Sequence, residues 1–187
     1  MHAKDGLASK EGRSLGDARV LSQRPLLMVD IDGVISLFGV SVQPDDERLE
    51  LDGSFHSIEG IPHFLSATAA AHLLALASQF ELVWASGWEE RAEDHLPHLL
   101  GLPKGLPFLR FSRSVGRANA HWKLDAIEAH AAGRALAWID DALDEECREW
   151  AKARSAPTLL VQTDPHVGLT RREAMLLEDW ARELAHG

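Results

Sequence analysis

Leu26-Leu27-Met28-Val29-Asp30-Ile31-Asp32-Gly33-Val34 runs from four apolar residues into two aspartates and a glycine. An uninterrupted apolar run of this length, bounded by a turn residue, reads as a strand covered on both faces, the kind found in parallel sheets. At a period of two, Asp30 and Asp32 start on the same side of the chain, and the carboxyl end of a parallel strand is where α/β proteins bind ligands. Aspartates placed there can attack phosphorus, hold a hard divalent cation or move a proton. Asp and Gly are also common turn and capping residues, so the motif alone leaves a purely structural reading standing. An EF-hand loop is excluded, because the regularly spaced ligands that should follow are missing.

Short apolar runs alternate with longer amphipathic ones from Pro25 onward. Strands are expected over 26–32, 81–86, 108–111, 135–140 and 158–163, and helices over 63–79, 89–100, 121–132, 144–154 and 171–185. This alternation implies an α/β three-layer sandwich around a central parallel sheet. Residues 41–57, β-prone on either side of Pro44-Asp45-Asp46, read as a small β-hairpin flap. Residues 1–24 mix charged, Gly and Ser residues without an apolar period and are expected to form a disordered leader to a single domain over 25–187.

The chain has 187 residues, 45% of them hydrophobic, and a net charge of -10 from 19 basic and 29 acidic side chains. That charge opposes nucleic acid and anionic membranes unless a local patch overrides it. The one cysteine, Cys147, rules out an internal disulfide and, with no apolar run of membrane-spanning length, points to the cytoplasm.

Three further features fall at element ends. Leu82-Val83-Trp84-Ala85-Ser86-Gly87 is an apolar strand ending in a hydroxyl, which suits a phosphate oxygen and equally suits the start of a turn. Lys123 stands near a helix start, where a cation opposes the macrodipole; it could neutralise phosphate or be a solvated surface lysine. In Leu136-Ala137-Trp138-Ile139-Asp140-Asp141 two adjacent carboxylates end a buried strand, costly unless a cation or hydrogen-bond donors meet them. A helix N-cap explains one of the two more easily than both.

The order Asp-x-Asp-Gly, strand-Ser, Lys, strand-Asp-Asp resembles the four motifs of the haloacid dehalogenase (HAD) superfamily of phosphatases. The resemblance implies the Rossmann-like HAD fold, Asp30 as nucleophile and Asp32 as acid and base. It further implies Ser86 and Lys123 on the phosphoryl group, and Mg2+ bound by Asp30, the backbone carbonyl of Asp32 and Asp141, with Asp140 in support. The words Glu81-Leu82-Val83-Trp84-Ala85-Ser86-Gly87-Trp88, Ala137-Trp138-Ile139-Asp140-Asp141 and Thr163-Asp164-Pro165-His166-Val167-Gly168-Leu169-Thr170 resemble, more narrowly, the HAD domain of Swiss Army Knife RNA repair proteins. That subgroup usually carries threonine where Ser86 stands, a change that keeps the hydroxyl.

Most relatives acting on small metabolites carry a cap domain. Here the gaps hold only the expected flap and the loop 101–106, so no full cap is expected and the site should be open. An open site suits a phosphate on a large substrate, such as a polynucleotide end; a small phosphomonoester and a non-catalytic binding module are the alternatives. Arg110, Arg113, Arg117 and Lys123 are the basic residues that could track a phosphate backbone, and Trp88 or Trp122 could stack on a base, although core packing is the commoner use of tryptophan. A receiver-type phosphorylation domain uses similar residues, but its lysine comes last, whereas Asp140-Asp141 follows Lys123 here.

Overall fold

The computed structural model describes residues 24–40, 52–112 and 118–186. β1 (Leu26–Val29), β5 (Glu81–Trp84), β6 (Leu136–Asp140) and β7 (Thr158–Gln162) form a parallel sheet in the order β5-β1-β6-β7. Around it lie α1 (Ala67–Leu76), α2 (Glu90–Leu100), α3 (Leu124–Ala131), α4 (Glu145–Ala153) and α5 (Arg171–His186). Alternate strand residues serve opposite faces. Leu27, Val29, Leu82, Trp84, Ala137 and Ile139 pack with α1, α2 and α5, whereas Leu26, Met28, Val83, Leu136 and Trp138 pack with α3 and α4. Burial on both faces is why the strands are apolar without alternation, and it makes the three-layer α/β sandwich.

β1 lies inside the sheet, with β5 on one side and β6 on the other. The chain therefore switches direction around β1, the position where such sheets form a crevice beyond their strand ends. Register completes the arrangement. Val29 is level with both Trp84 and Ile139, so Asp30 stands level with Ala85 and Asp140, and Ser86 follows one residue beyond.

The elements depart from the sequence expectation in four places. β1 stops at Val29, because the carbonyl of Ile31 accepts N–H groups from Val34, Ile35 and Ser36 and turns the chain out of the sheet. Residues 108–111 make no strand: Phe108 forms a single bridge to Trp84, and the N–H of Phe111 goes to the Glu89 side chain at 3.0 Å. The expected helix over 63–79 is divided, since Ile61–Ser66 is strand β4 and the Ser66 hydroxyl caps α1 by accepting from Ala69 N at 3.1 Å. The hairpin is displaced along the chain. β3 (Gly53–Ile58) and β4 meet through Glu59-Gly60, both at positive φ (52° and 82°), the backbone that two-residue hairpin turns require. With β2 (Ser36–Leu37) they form a three-stranded antiparallel flap in the order β2-β4-β3. Most of the expected leader and residues 41–51 of the expected hairpin lie outside the described residues.

Candidate active site

Asp30, one residue beyond β1, is buried, and its Oδ1 accepts the N–H of Ile31 at 2.8 Å. A 3-10 turn, His121–Lys123, leads into α3 and brings Lys123 under the sheet ends with only 3% of its surface exposed. Its ammonium lies 2.9 Å from Asp30 Oδ2 and 2.7 Å from Asp140 Oδ2, while Asp140 Oδ1 accepts the N–H of Ala142 at 2.9 Å. Burial works against the lysine's charge, but Asp30 and Asp140 outweigh it and hold the pKa above its ordinary value. Asp140 is pushed up to about 7, chiefly by burial and then by the charge of Asp30, with Lys123 opposing both. The lysine is therefore a buried counter-ion shared by two carboxylates, not a surface residue.

Asp30, Asp140 and Asp141 each present a carboxylate oxygen within 4.8 Å of the other two. Three carboxylates against one ammonium leave excess negative charge, and burial followed by the charge of Asp30 raises the pKa of Asp141. An all-oxygen donor set carrying uncompensated charge fits a hard divalent cation such as magnesium. Asp30 commits its oxygens to Ile31 N–H and Lys123, and Asp140 commits its own to Lys123 and Ala142 N–H, which leaves Asp141 the freest donor of the three.

Gly33 is what lets Asp141 come so close. A Cβ at this position would sit 2.4 Å from Asp141 Cγ, and the backbone has φ +72°. Thr163 anchors the turn by donating its hydroxyl to the Gly33 carbonyl at 2.9 Å. Gly33→Ala is expected to cost at least about 1–2 kcal/mol from the left-handed backbone alone, read by denaturant unfolding. It should also displace Asp141, so that magnesium raises the melting temperature of the variant less than that of the wild type.

Asp32 lies outside the three-carboxylate group. Its Oδ2 accepts the indole N–H of Trp88 at 3.0 Å. Burial, then the charge of Asp30, raises its pKa, while Trp88, His63 and Lys123 pull the other way. The balance favours a carboxyl that keeps its proton longer than usual. Ser86, 1% exposed, lines the same cavity of about 340 Å3 with Asp30, Asp32, Lys123, Asp140 and Asp141. The structure thus gathers all six residues singled out in the sequence.

Around them stand residues the sequence reading gave no role or a different one. Trp88 is buried and orients Asp32, so it offers no face for stacking on a base. Arg91 braces its loop, donating to the carbonyls of Gly87 and Trp88 at 3.1 and 3.3 Å and to Glu59 on the flap at 2.9 Å. His63 was hidden in an expected helix; on β4 it faces the cavity. Trp122 lines the wall, edge-on to Phe111 at 4.6 Å between ring centroids. The expected basic track is weaker than its composition implied. Lys123 is internal and Arg110 pairs with Glu89 and Glu90, while Arg113 and Arg117 lie outside the described residues.

A second link fixes the lysine turn. His121 Nδ1 meets Asp144 Oδ2 at 2.5 Å, and Asp144 Oδ1 caps α4 by accepting from Cys147 N at 3.0 Å. The hydrogen bond to Asp144 raises the His121 pKa; burial would raise that of Asp144, but the bonds from His121 and Cys147 prevail and lower it. The raised histidine stabilises fully below its unfolded pKa of about 6.5 and loses that contribution as pH rises through the folded value. The depressed aspartate stabilises above about pH 4 and loses its contribution as pH falls through its folded value. His121→Gln should therefore melt below wild type by the widest margin between roughly pH 4 and 6.5. The gap should close as pH rises past the histidine's folded pKa, which thermal melts across pH will show.

A family model described as the HAD domain in Swiss Army Knife RNA repair proteins matches residues 26–174. No curated protein and no solved structure matches the chain.

Proposed function

The chain belongs to the HAD domain family of Swiss Army Knife RNA repair proteins, and from that premise we propose that it is a magnesium-dependent phosphatase that works through an aspartyl phosphate on Asp30. The observation that carries this reading is the buried Lys123, held within 3 Å of both Asp30 and Asp140 at 2.9 and 2.7 Å, beside a third carboxylate at the sheet ends. Phosphoryl transfer needs an in-line nucleophile and neutralised charge, and little covalent work besides.

In the first step an Asp30 oxygen attacks phosphorus, the bond from phosphorus to the ester oxygen breaks, and Asp32 gives its proton to that leaving oxygen. The raised pKa of Asp32 suits a general acid. In the second step water attacks phosphorus, Asp32 takes the proton, and the bond to Asp30 breaks to release phosphate. Lys123 and Ser86 hold the phosphoryl oxygens throughout. Magnesium would be held by Asp30, Asp141 and the backbone carbonyl of Asp32, with Asp140 in support, and would supply further charge neutralisation. Trp88 keeps Asp32 aimed by its hydrogen bond.

The described residues hold no cap domain beyond the three-stranded flap, whose Ile61 and His63 line the cavity, and that suits a phosphate on something large, such as a polynucleotide end. The second reading, a small phosphomonoester, is favoured by the cavity itself. Its roughly 340 Å3 falls in the range of small-molecule sites, and its rim carries Phe38 and Ile61 in place of exposed cations.

No described helix is long and apolar enough to cross a membrane. Cys147 is buried with its thiol pushed up to about 12, chiefly by burial, so it is a packing residue and suits a reducing cytoplasm.

The test is magnesium-dependent release of phosphate from an aryl phosphate, from mononucleotides and from 3′- and 5′-phosphorylated oligonucleotides, with a chelator as control. Preference for oligonucleotides supports the polynucleotide end, and preference for mononucleotides the smaller substrate. Absence of release from every one leaves a non-catalytic binding module.

A further inference from the structure

His63 lines the cavity, with one ring nitrogen engaged and the other without a hydrogen bond among the described residues. Nδ1 lies 2.9 Å from the hydroxyl of Ser36, which is 2% exposed, and Nε2 makes no hydrogen bond among the described residues. The direction of the Ser36 bond follows from the cost of a buried donor left unmade. Nδ1 is the only partner of that hydroxyl among the described residues, so the O–H donates to Nδ1. A neutral ring whose Nδ1 accepts carries its proton on Nε2. His63 therefore carries its N–H on the nitrogen that has no partner among the described residues, in a residue that lines the cavity.

Its place in the cavity indicates what that N–H meets. The His63 ring packs edge-on to Trp88 at 4.9 Å between centroids, and the same indole holds Asp32, whose proton goes to the leaving oxygen. Strand alternation puts Ile61 on the same side of β4 as His63, and Ile61 and Phe38 stand exposed at the rim. The flap side of the cavity thus offers one donor set in an apolar border, whereas the cationic grip of Lys123 lies at the sheet ends. This is a surface for the alcohol half of the ester, not for its phosphate.

We propose that His63 is a specificity-determining residue whose Nε2–H donates to a hydroxyl oxygen next to the ester oxygen, so that the favoured leaving group is a sugar with a vicinal hydroxyl. The inference rests on the phosphatase reading above. Ser36 is the positioning residue that fixes the ring and its tautomer.

The experiment compares kcat/KM for a ribonucleoside 3′-phosphate and for its 2′-deoxy counterpart, with magnesium, in wild type, His63→Ala, His63→Gln and Ser36→Ala. Wild type is expected to prefer the ribonucleotide by about tenfold, the usual worth of one buried hydrogen bond to substrate. The ratio should fall to near one in His63→Ala, recover in part in His63→Gln, whose amide can donate, and fall less far in Ser36→Ala. A merely structural role would lower both rates and leave their ratio alone, which overturns the proposal, as does a wild-type ratio near one. If His63→Ala does not fold, Ser36→Ala decides by the same ratio. A wild type that hydrolyses neither nucleotide but releases phosphate from an aryl phosphate or a phosphorylated oligonucleotide overturns this inference alone, and a wild type inactive on every one of these substrates overturns the phosphatase reading and this inference together.

Discussion

Asp30→Asn is expected to lower kcat by at least about 10³-fold, because an amide oxygen is a far weaker nucleophile than a carboxylate. The substitution is nearly isosteric, and the asparagine Oδ1 can still accept the N–H of Ile31, which Asp30 now holds at 2.8 Å. Lys123 keeps its contact with Asp140 at 2.7 Å. The fold should therefore survive. Removing the Asp30 charge also relieves Asp32, Asp140 and Asp141, each of whose pKa it raises. One amide oxygen cannot serve both the Ile31 N–H and the Lys123 ammonium, as the two carboxylate oxygens do at 2.8 and 2.9 Å, so that relief is offset, and the sharper readout is a melting temperature that responds less to magnesium than that of wild type. Steady-state phosphate release and thermal melts with and without magnesium check both halves. A variant that keeps a tenth or more of wild-type turnover would remove Asp30 from the role of nucleophile.

How far this site could be read in advance depends on how local each cause is. The strands β1, β5, β6 and β7 announce themselves, since burial on both faces demands continuous apolar residues, and their ends carry Asp30, Ser86 and Asp140. Lys123 is legible as a cation at a helix start that could neutralise phosphate, and by the family resemblance as a residue on the phosphoryl group, but its burial between two carboxylates depends on register across the sheet. The flap was misplaced because its cause is tertiary. Residues 61–66 precede an alanine-rich helix and continue its apolar pattern, and only pairing with β2 and β3 makes them a strand. His63 and its bond to Ser36 were lost with that error.

Other residues had a visible pattern and no visible reason. Thr163 to Leu169 resemble a family word, and the structure shows what they support. Thr163 holds the Gly33 carbonyl, Leu169 N donates to the Val34 carbonyl at 3.0 Å, and Gly168 passes so close that a Cβ would lie 2.4 Å from that same oxygen. The far end of the chain thus braces the turn that carries Asp32 and clears space for Asp141. No periodicity in either segment predicts that meeting.

Lys123→Met tests the electrostatic centre by removing its cation while keeping the length of the side chain. At 3% exposure the lysine is beyond the reach of solvent screening, and its loss leaves Asp30 and Asp140 facing each other without a counter-ion. Breaking a buried pair in this way costs about 3–5 kcal/mol, more than the net worth of the pair, because the remaining charge stays desolvated. Two conditions should offset the loss. Asp140 is already raised to about 7 with the lysine present, so without it the carboxyl will hold its proton to higher pH still. A group with a raised folded pKa stabilises below its unfolded value, about pH 4 for an aspartate, and loses that contribution as pH rises through the folded one. Lys123→Met should therefore fall furthest below wild type above neutral pH and approach it as pH drops toward 5, roughly. Magnesium, which the proposed function puts on the same carboxylates, should recover part of the stability at neutral pH. It should not recover turnover, expected to drop by about 10²–10³-fold, because the ammonium also faces the charge that develops on the phosphoryl oxygens. Denaturant unfolding across pH, with and without magnesium, reads the first effect, and phosphate release at saturating magnesium reads the second. Equal destabilisation at every pH would mean that Lys123 acts by packing alone. Turnover restored by magnesium would mean that the lysine serves to hold the carboxylates together and has no part in the transfer itself.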